Sequence, residues 1–174
     1  AKRPLLETNE IGTMPILDFD GSNDSMAASG FSQAQAVTVF MVLKLHGAIS
    51  STQVIFDGGG SGSLMQIRRL SSEIFNIHAG SSLSGSGAIV SGNVVLGVVF
   101  NGASSEIWIN GVLNKTGNAG GNGLNGVTLG THRNGSSNPF EGGIGECLVY
   151  AGTLSSGDFN GVTAWLNAEY GGIY

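Results

Sequence analysis

The chain has 174 residues, a length at which one domain is the default, and it carries 30 glycines but only 3 prolines. Glycine stands at more than twice its usual ~7% and charged residues, at 11%, below half their usual ~25%, yet 41% of the residues are apolar, so neither disorder nor a collagen repeat fits. A net charge of −5 and a pI near 5.0 make phosphate backbones poor partners and set nucleic acid aside.

Short runs rich in Val, Ile and Phe, separated by Gly, Ser and Asn, predict an all-β chain of two antiparallel sheets in a single domain over residues 1–174. The first strand is read at residues 16–19. It runs into Asp18-Phe19-Asp20-Gly21-Ser22-Asn23-Asp24, an Asp/Asn turn and the sole carboxylate cluster. No cofactor is expected; calcium is the one ion this turn would suit, although the glycine and closing Glu of an EF-hand loop are missing. Strands follow at residues 37–46 and 52–57. The apolar run 37–45, interrupted by Thr38 and Lys44, is too short to span a bilayer, so membrane insertion is not expected.

Residues 64–70 and 73–78 form the most informative pair. A three-residue loop Leu70-Ser71-Ser72 would pair Met65 with Ile77, Ile67 with Phe75 and Arg69 with Glu73. The opposite face then carries Gln66, Arg68, Asn76 and His78, so one face is core and the other can form hydrogen bonds.

Further strands are predicted at residues 94–101, 106–110, 112–115, 127–130 and 144–150. Asn110-Gly111 reads as a two-residue hairpin turn that would pair Ile109 with Val112, Trp108 with Leu113 and Glu106 with Lys115. Trp108 is either an exposed stacking platform or packed between layers. The single cysteine, Cys147, excludes an intrachain disulfide and reads as a buried structural thiol. The period then becomes helical: Phe159, Val162, Trp165, Leu166 and Tyr170 mark one amphipathic helix, begun by Ser155 with Asp158 and ended at Gly171, with Trp165 expected in the core. Glycine tracts at residues 57–63, 80–87 and 117–123 read as loops.

Catalytic signatures are missing. No serine has glycines at both −2 and +2, and His46, His78 and His132 stand apart without zinc-ligand spacing. The glycine tracts precede strands, not helices, so phosphate cradling is unsupported. Glycoside hydrolysis needs two facing carboxyls, and Glu73, Glu106, Glu141 and Glu146 form no close set. What remains is noncovalent recognition. The polar hairpin face, Gln66, Arg68, Asn76 and His78, and the loop residues His132, Arg133, Asn134, Asn138 and Phe140 supply amides, guanidinium groups and an aromatic ring suited to sugar hydroxyls and ring faces.

Four stretches carry a resemblance. Ile16-Leu17-Asp18-Phe19-Asp20-Gly21-Ser22-Asn23-Asp24 is the first, and Val99-Phe100-Asn101-Gly102 with Ser105-Glu106-Ile107-Trp108-Ile109-Asn110-Gly111 the second. Phe140-Glu141-Gly142-Gly143-Ile144-Gly145-Glu146 and the closing Ala164-Trp165-Leu166-Asn167-Ala168-Glu169-Tyr170-Gly171 complete the set. In this order they resemble the concanavalin A-like lectin/glucanase superfamily, in its laminin-G-like branch. The resemblance implies a jelly-roll of two curved antiparallel sheets with a role in glycan or protein binding. The glucanase Glu-x-Asp-x-x-Glu signature is absent, so a noncatalytic module is expected. Similar free-standing copies occur among bacteriophage structural proteins. With Ala1-Lys2-Arg3-Pro4 lacking a leader-peptide pattern, the expected setting is a virion accessory protein that decorates the particle surface, contacts glycans or capsid and tail proteins, and forms a homo-oligomer. The alternatives are an extracellular carbohydrate-binding module cut from a secreted enzyme or adhesin and, last, a glycoside hydrolase.

Overall fold

The structure, a computed structural model, describes residues 3–60 and 63–174. In chain order the strands are β1 (Leu5–Ile11), β2 (Met14–Asp20), β3 (Met26–Gln33), β4 (Val37–Leu45), β5 (Gln53–Asp57), β6 (Gln66–Arg69) and β7 (Phe75–His78). They continue with β8 (Ser82–Ser84), β9 (Gly92–Phe100), β10 (Ser105–Ile109), β11 (Val112–Gly117), β12 (Leu124–Leu129) and β13 (Glu141–Ala151), before one helix, α1 (Ser156–Glu169). Two antiparallel sheets result: a seven-stranded sheet in the order β1-β2-β13-β4-β9-β10-β11 and a six-stranded sheet in the order β3-β12-β5-β6-β7-β8.

The apolar runs β4 and β9 lie side by side at the centre of the seven-stranded sheet and are buried on both faces, because each face has something to pack against. Val39, Met41, Leu43, Leu96 and Val98 point inward to meet Phe56, Ile67, Phe75 and Ile77 of the six-stranded sheet. Their alternates Phe40, Val42, Val95 and Val99 point outward and are covered by Phe159, Leu166 and Tyr170 of α1. The Ser155 Oγ accepts from the Asp158 N–H at 3.2 Å and caps the helix; the N–H of Gly171 returns to the Ala168 carbonyl at its end.

Three expectations are corrected here. Trp165 is 49% exposed. At about 100° per residue it lies about 120° round the helix from the line through Phe159, Thr163, Leu166 and Tyr170, which is the stripe that meets the sheet. The β6–β7 register is Ile67 with Ile77 and Arg69 with Phe75, two residues from the predicted one. The three-residue turn lies one residue further on, at residues 71–73: the Leu70 N–H donates to the Ile74 carbonyl at 3.0 Å, and Glu73, with a φ of 62°, donates its N–H to the Leu70 carbonyl at 2.8 Å. Both registers have the same parity, so the two faces keep the residues assigned to them. Ile109 pairs with Val112 and Trp108 with Leu113 about Asn110-Gly111, but a bulge after Ile107 puts Lys115 opposite Ile107 and Glu106 opposite Thr116.

Candidate functional site

Strand alternation builds the site. Gln66 opposite His78 and Arg68 opposite Asn76 share the outer face of the six-stranded sheet, since Ile67 and Ile77 between them face the core. Asp57 pairs with Gln66 across β5 and β6 and joins that face. Sequence reasoning placed Asp57 at the edge of a glycine-rich loop and missed it; its position directly after core-facing Phe56 was the available signal.

Asp57 is 1% exposed and organises its surroundings. Its Oδ1 accepts from the Gly59 N–H at 2.9 Å, and its Oδ2 from Gln66 Nε2 at 2.7 Å and the Arg133 N–H at 3.0 Å. The Nε2 of His132 stands 3.7 Å from the same oxygen. A buried carboxylate is tolerable only when hydrogen-bonded, and these donors tie the loop between β12 and β13 to the sheet face. That loop is braced internally: Asn134 Oδ1 accepts from the Ser136 and Ser137 N–H groups, each at 3.1 Å, and the Asn138 carbonyl accepts from the Val54 N–H at 2.8 Å. Arg133 reaches the Gly60 carbonyl with Nη1.

The predicted residues therefore divide. Gln66 and Asn76, each 3% exposed, are framework: Gln66 holds Asp57, and Asn76 Nδ2 bonds the Leu83 carbonyl at 3.2 Å and Ser84 Oγ at 3.0 Å. Arg68 and His78 are half-buried on the face, as are His132 and Arg133 beside it, while Asn134 and Asn138 are exposed on the loop. His78 Nδ1 pairs with Ser82 Oγ at 3.0 Å; burial first, then the Arg68 charge, hold its pKa below the ordinary histidine value. Phe140 leaves the set. Its ring is 0% exposed and packs against Phe19 with centroids 6.2 Å apart, so it closes one end of the core and has no face to stack on a sugar.

Trp108 resolves to packing between layers. Its ring lies 5.0 Å from that of Phe159, and its Nε1 donates to Glu106 Oε2 at 2.7 Å, beside a 270 Å³ cavity that Leu154 and Asn160 also line. Burial and the neighbouring Glu146 push the Cys147 thiol up to about 12, so it stays protonated. In the acidic turn, Asp20 Oδ1 accepts from the Ser22 and Asn23 N–H groups at 2.9 and 3.2 Å, and Asp24 Oδ2 from the Asp20 N–H at 3.0 Å, which spends these oxygens on the turn itself. Among the described residues no group of three or more His, Cys, Asp or Glu is placed to hold a metal ion, and no helix is long and apolar enough to cross a membrane.

No family model matches the chain, and no curated protein matches it. Solved structures do. Domain 4 of an extracellular GH43 arabinanase from Geobacillus stearothermophilus, in complex with arabinotriose, superposes with a TM-score of 0.70 at 15% identity, covering 94% of this chain and 82% of that one. A heptameric SAP-like pentraxin from Limulus polyphemus gives 0.64 at 15% identity, over 84% of this chain and 80% of that one. A structure of botulinum neurotoxin type C, whose cell entry depends on interaction with two ganglioside molecules, gives 0.71 at 15% identity, and the chain spans 46% of its length. With two antiparallel sheets and one C-terminal helix, the chain has the jelly-roll β-sandwich fold of these domains, in agreement with the concanavalin A-like resemblance of its sequence.

Proposed function

We propose that the chain is a noncatalytic carbohydrate-recognition module that binds glycans on the outer face of the six-stranded sheet. The observation that carries this reading is the asymmetry of the two sheets. The outer face of the seven-stranded sheet is covered by α1, whereas the opposite one presents Arg68 and His78, with His132, Arg133 and Asn134 on a loop moored by Asp57. Pre-set donors and acceptors of this kind match sugar hydroxyls with little loss of side-chain freedom on binding. The arabinotriose complex and the ganglioside-dependent toxin support the reading by likeness of fold. Hydrolysis is disfavoured because the oxygens of Asp57, the buried carboxylate of this face, already accept three N–H groups that fix the loop.

The setting we infer is a surface outside the cell, either a virion, where the protein decorates the particle, or a secreted enzyme or adhesin that carries it as a module. Exposed Leu5 and Leu6 on edge strand β1 and Met26 and Phe31 on edge strand β3 supply an apolar margin for contact with capsid or tail proteins or with a second copy. Light scattering is expected to give a symmetric oligomer; a monodisperse monomer would count against that arrangement. For the recognition role itself, a glycan array should give positive spots that fade for Arg68→Ala and His78→Ala. An array blank for the unaltered protein overturns the reading.

A further inference from the structure

Arg68 differs from the other buried or half-buried cations of the sandwich. Lys44 pairs with Glu10, Arg69 with Glu73 and three carbonyls, and Arg133 with the Gly60 carbonyl. Arg68 is half-buried, yet among the described residues its side chain donates no hydrogen bond and enters no ion pair, and its Nε is shut away from water. The charge that acts on it is Asp57, whose two oxygens already accept three N–H groups. Directly opposite on β7, Asn76 Oδ1 is also buried without a partner, while Nδ2 of the same amide is held by Leu83 and Ser84. A cation lacking an acceptor thus faces an acceptor lacking a donor.

Half-buried charges and buried amides are costly when unpaired, so two such groups side by side on a surface point to something that completes them. The local charge agrees. On a chain of net charge −5, this face gathers Arg68 and Arg133 against one spent carboxylate, with His78 adjacent and held neutral near pH 7.

Resting on the glycan-binding reading above, we infer that this face selects an anionic saccharide, a sugar unit carrying a carboxylate or sulfate. The anion lies on the planar fork of the Arg68 guanidinium, and as that side chain lifts toward it, a neighbouring sugar hydroxyl donates to the uncovered Asn76 Oδ1. A neutral sugar would leave the guanidinium as it is, unpaired.

The test uses matched pairs that differ only in charge: oligogalacturonate against its methyl ester, and sulfated dextran against dextran, with a neutral glycan panel beside them. Calorimetry should show the acid or the sulfated member bound at least about tenfold more tightly than its uncharged partner, an advantage that shrinks as salt is raised and disappears in Arg68→Gln. Arg68→Gln should keep a thermal midpoint equal to or above that of the unaltered protein, because it removes an unpaired charge; Asn76→Ser should lose affinity for the anionic sugars while staying folded. Whichever pair responds identifies carboxylate or sulfate as the anion. Equal binding of charged and uncharged partners, with Arg68→Gln silent, overturns the inference and leaves the glycan-binding reading standing. Binding to no saccharide, neutral or anionic, overturns both.

Discussion

Arg68 and Arg69 are adjacent in sequence, yet strand alternation sends them to opposite sides of one sheet, where they do different work. Arg69, 1% exposed, is a structural clamp: its Nη2 donates to the carbonyls of Gly47, Ile89 and Val90 at 2.8, 3.0 and 2.6 Å, and Glu73 balances its charge. Replacing it with Met strands three carbonyls and a carboxylate together, and breaking a buried pair of this kind costs about 3–5 kcal/mol. Urea denaturation should show that loss for Arg69→Met and little for Arg68→Gln. His78 adds a pH dependence whose sign follows from its neighbours. Burial, then Arg68, hold its pKa in the fold below the unfolded value of 6.5, so the unfolded chain takes up the proton first as pH falls. Stability from this group is present above that pH and is lost as the solution becomes more acidic. Between about pH 7.5 and 5.5 the urea midpoint of the unaltered protein should fall more steeply than that of His78→Gln; parallel curves would mean that His78 is as readily protonated in the fold as in the open chain.

At the scale of elements, the helix sits where it does because one position of β9 has no side chain. A Cβ on Gly97 would stand 2.6 Å from Cζ of Phe159, which packs against Phe40 and Trp108 at centroid distances of 4.6 and 5.0 Å. Gly97→Ala must push the helix outward, an overpacking that costs about 1–3 kcal/mol. A thermal midpoint unchanged by this substitution would show that α1 rests on the sheet more loosely than its contacts suggest. Elements with an apolar period were legible without coordinates. The runs that became β4, β5, β9 and β13 fell close to their bounds, and Ser155 with Asp158 located the start of α1. Strands β1 and β3 escaped notice because they are sheet edges: Met26–Gln33 is almost wholly exposed, and Leu5–Ile11 buries only Ile11 at its end, so neither shows an alternation of apolar and polar residues. Strand β8, three residues long inside a glycine tract, has no pattern of its own to read. The β6–β7 register slipped by two because the left-handed Glu73 sets the three-residue turn one residue further on, a choice that nothing in Leu70-Ser71-Ser72 announces.

For the whole molecule, the same logic explains why half of the candidate site could be read and half could not. Parity alone assigns Gln66, Arg68, Asn76 and His78 to one face. Which of them remain reachable depends on contacts distant in sequence: Asp57 with Gln66 and Arg133, Phe140 with Phe19, and the Asn76 amide with Leu83 and Ser84. The sandwich therefore has one outer face left polar and another that is apolar and needs a lid. Phe40, Val42, Val95 and Val99 alternate outward along β4 and β9 and would form a flat apolar strip without Phe159, Leu166 and Tyr170 above them. Burying such side chains contributes about 1.5–3 kcal/mol each, which is most of the margin of a domain stable by about 5–15 kcal/mol. Ending the chain at Gly152 should accordingly yield a protein that binds the dye ANS and associates through the bared strip, while Leu166→Ala, which keeps the lid but thins it, should remain monodisperse and lose about 2–5 kcal/mol. A shortened chain with the light scattering and urea midpoint of the intact one would show that the helix is an ornament on a sandwich already complete without it.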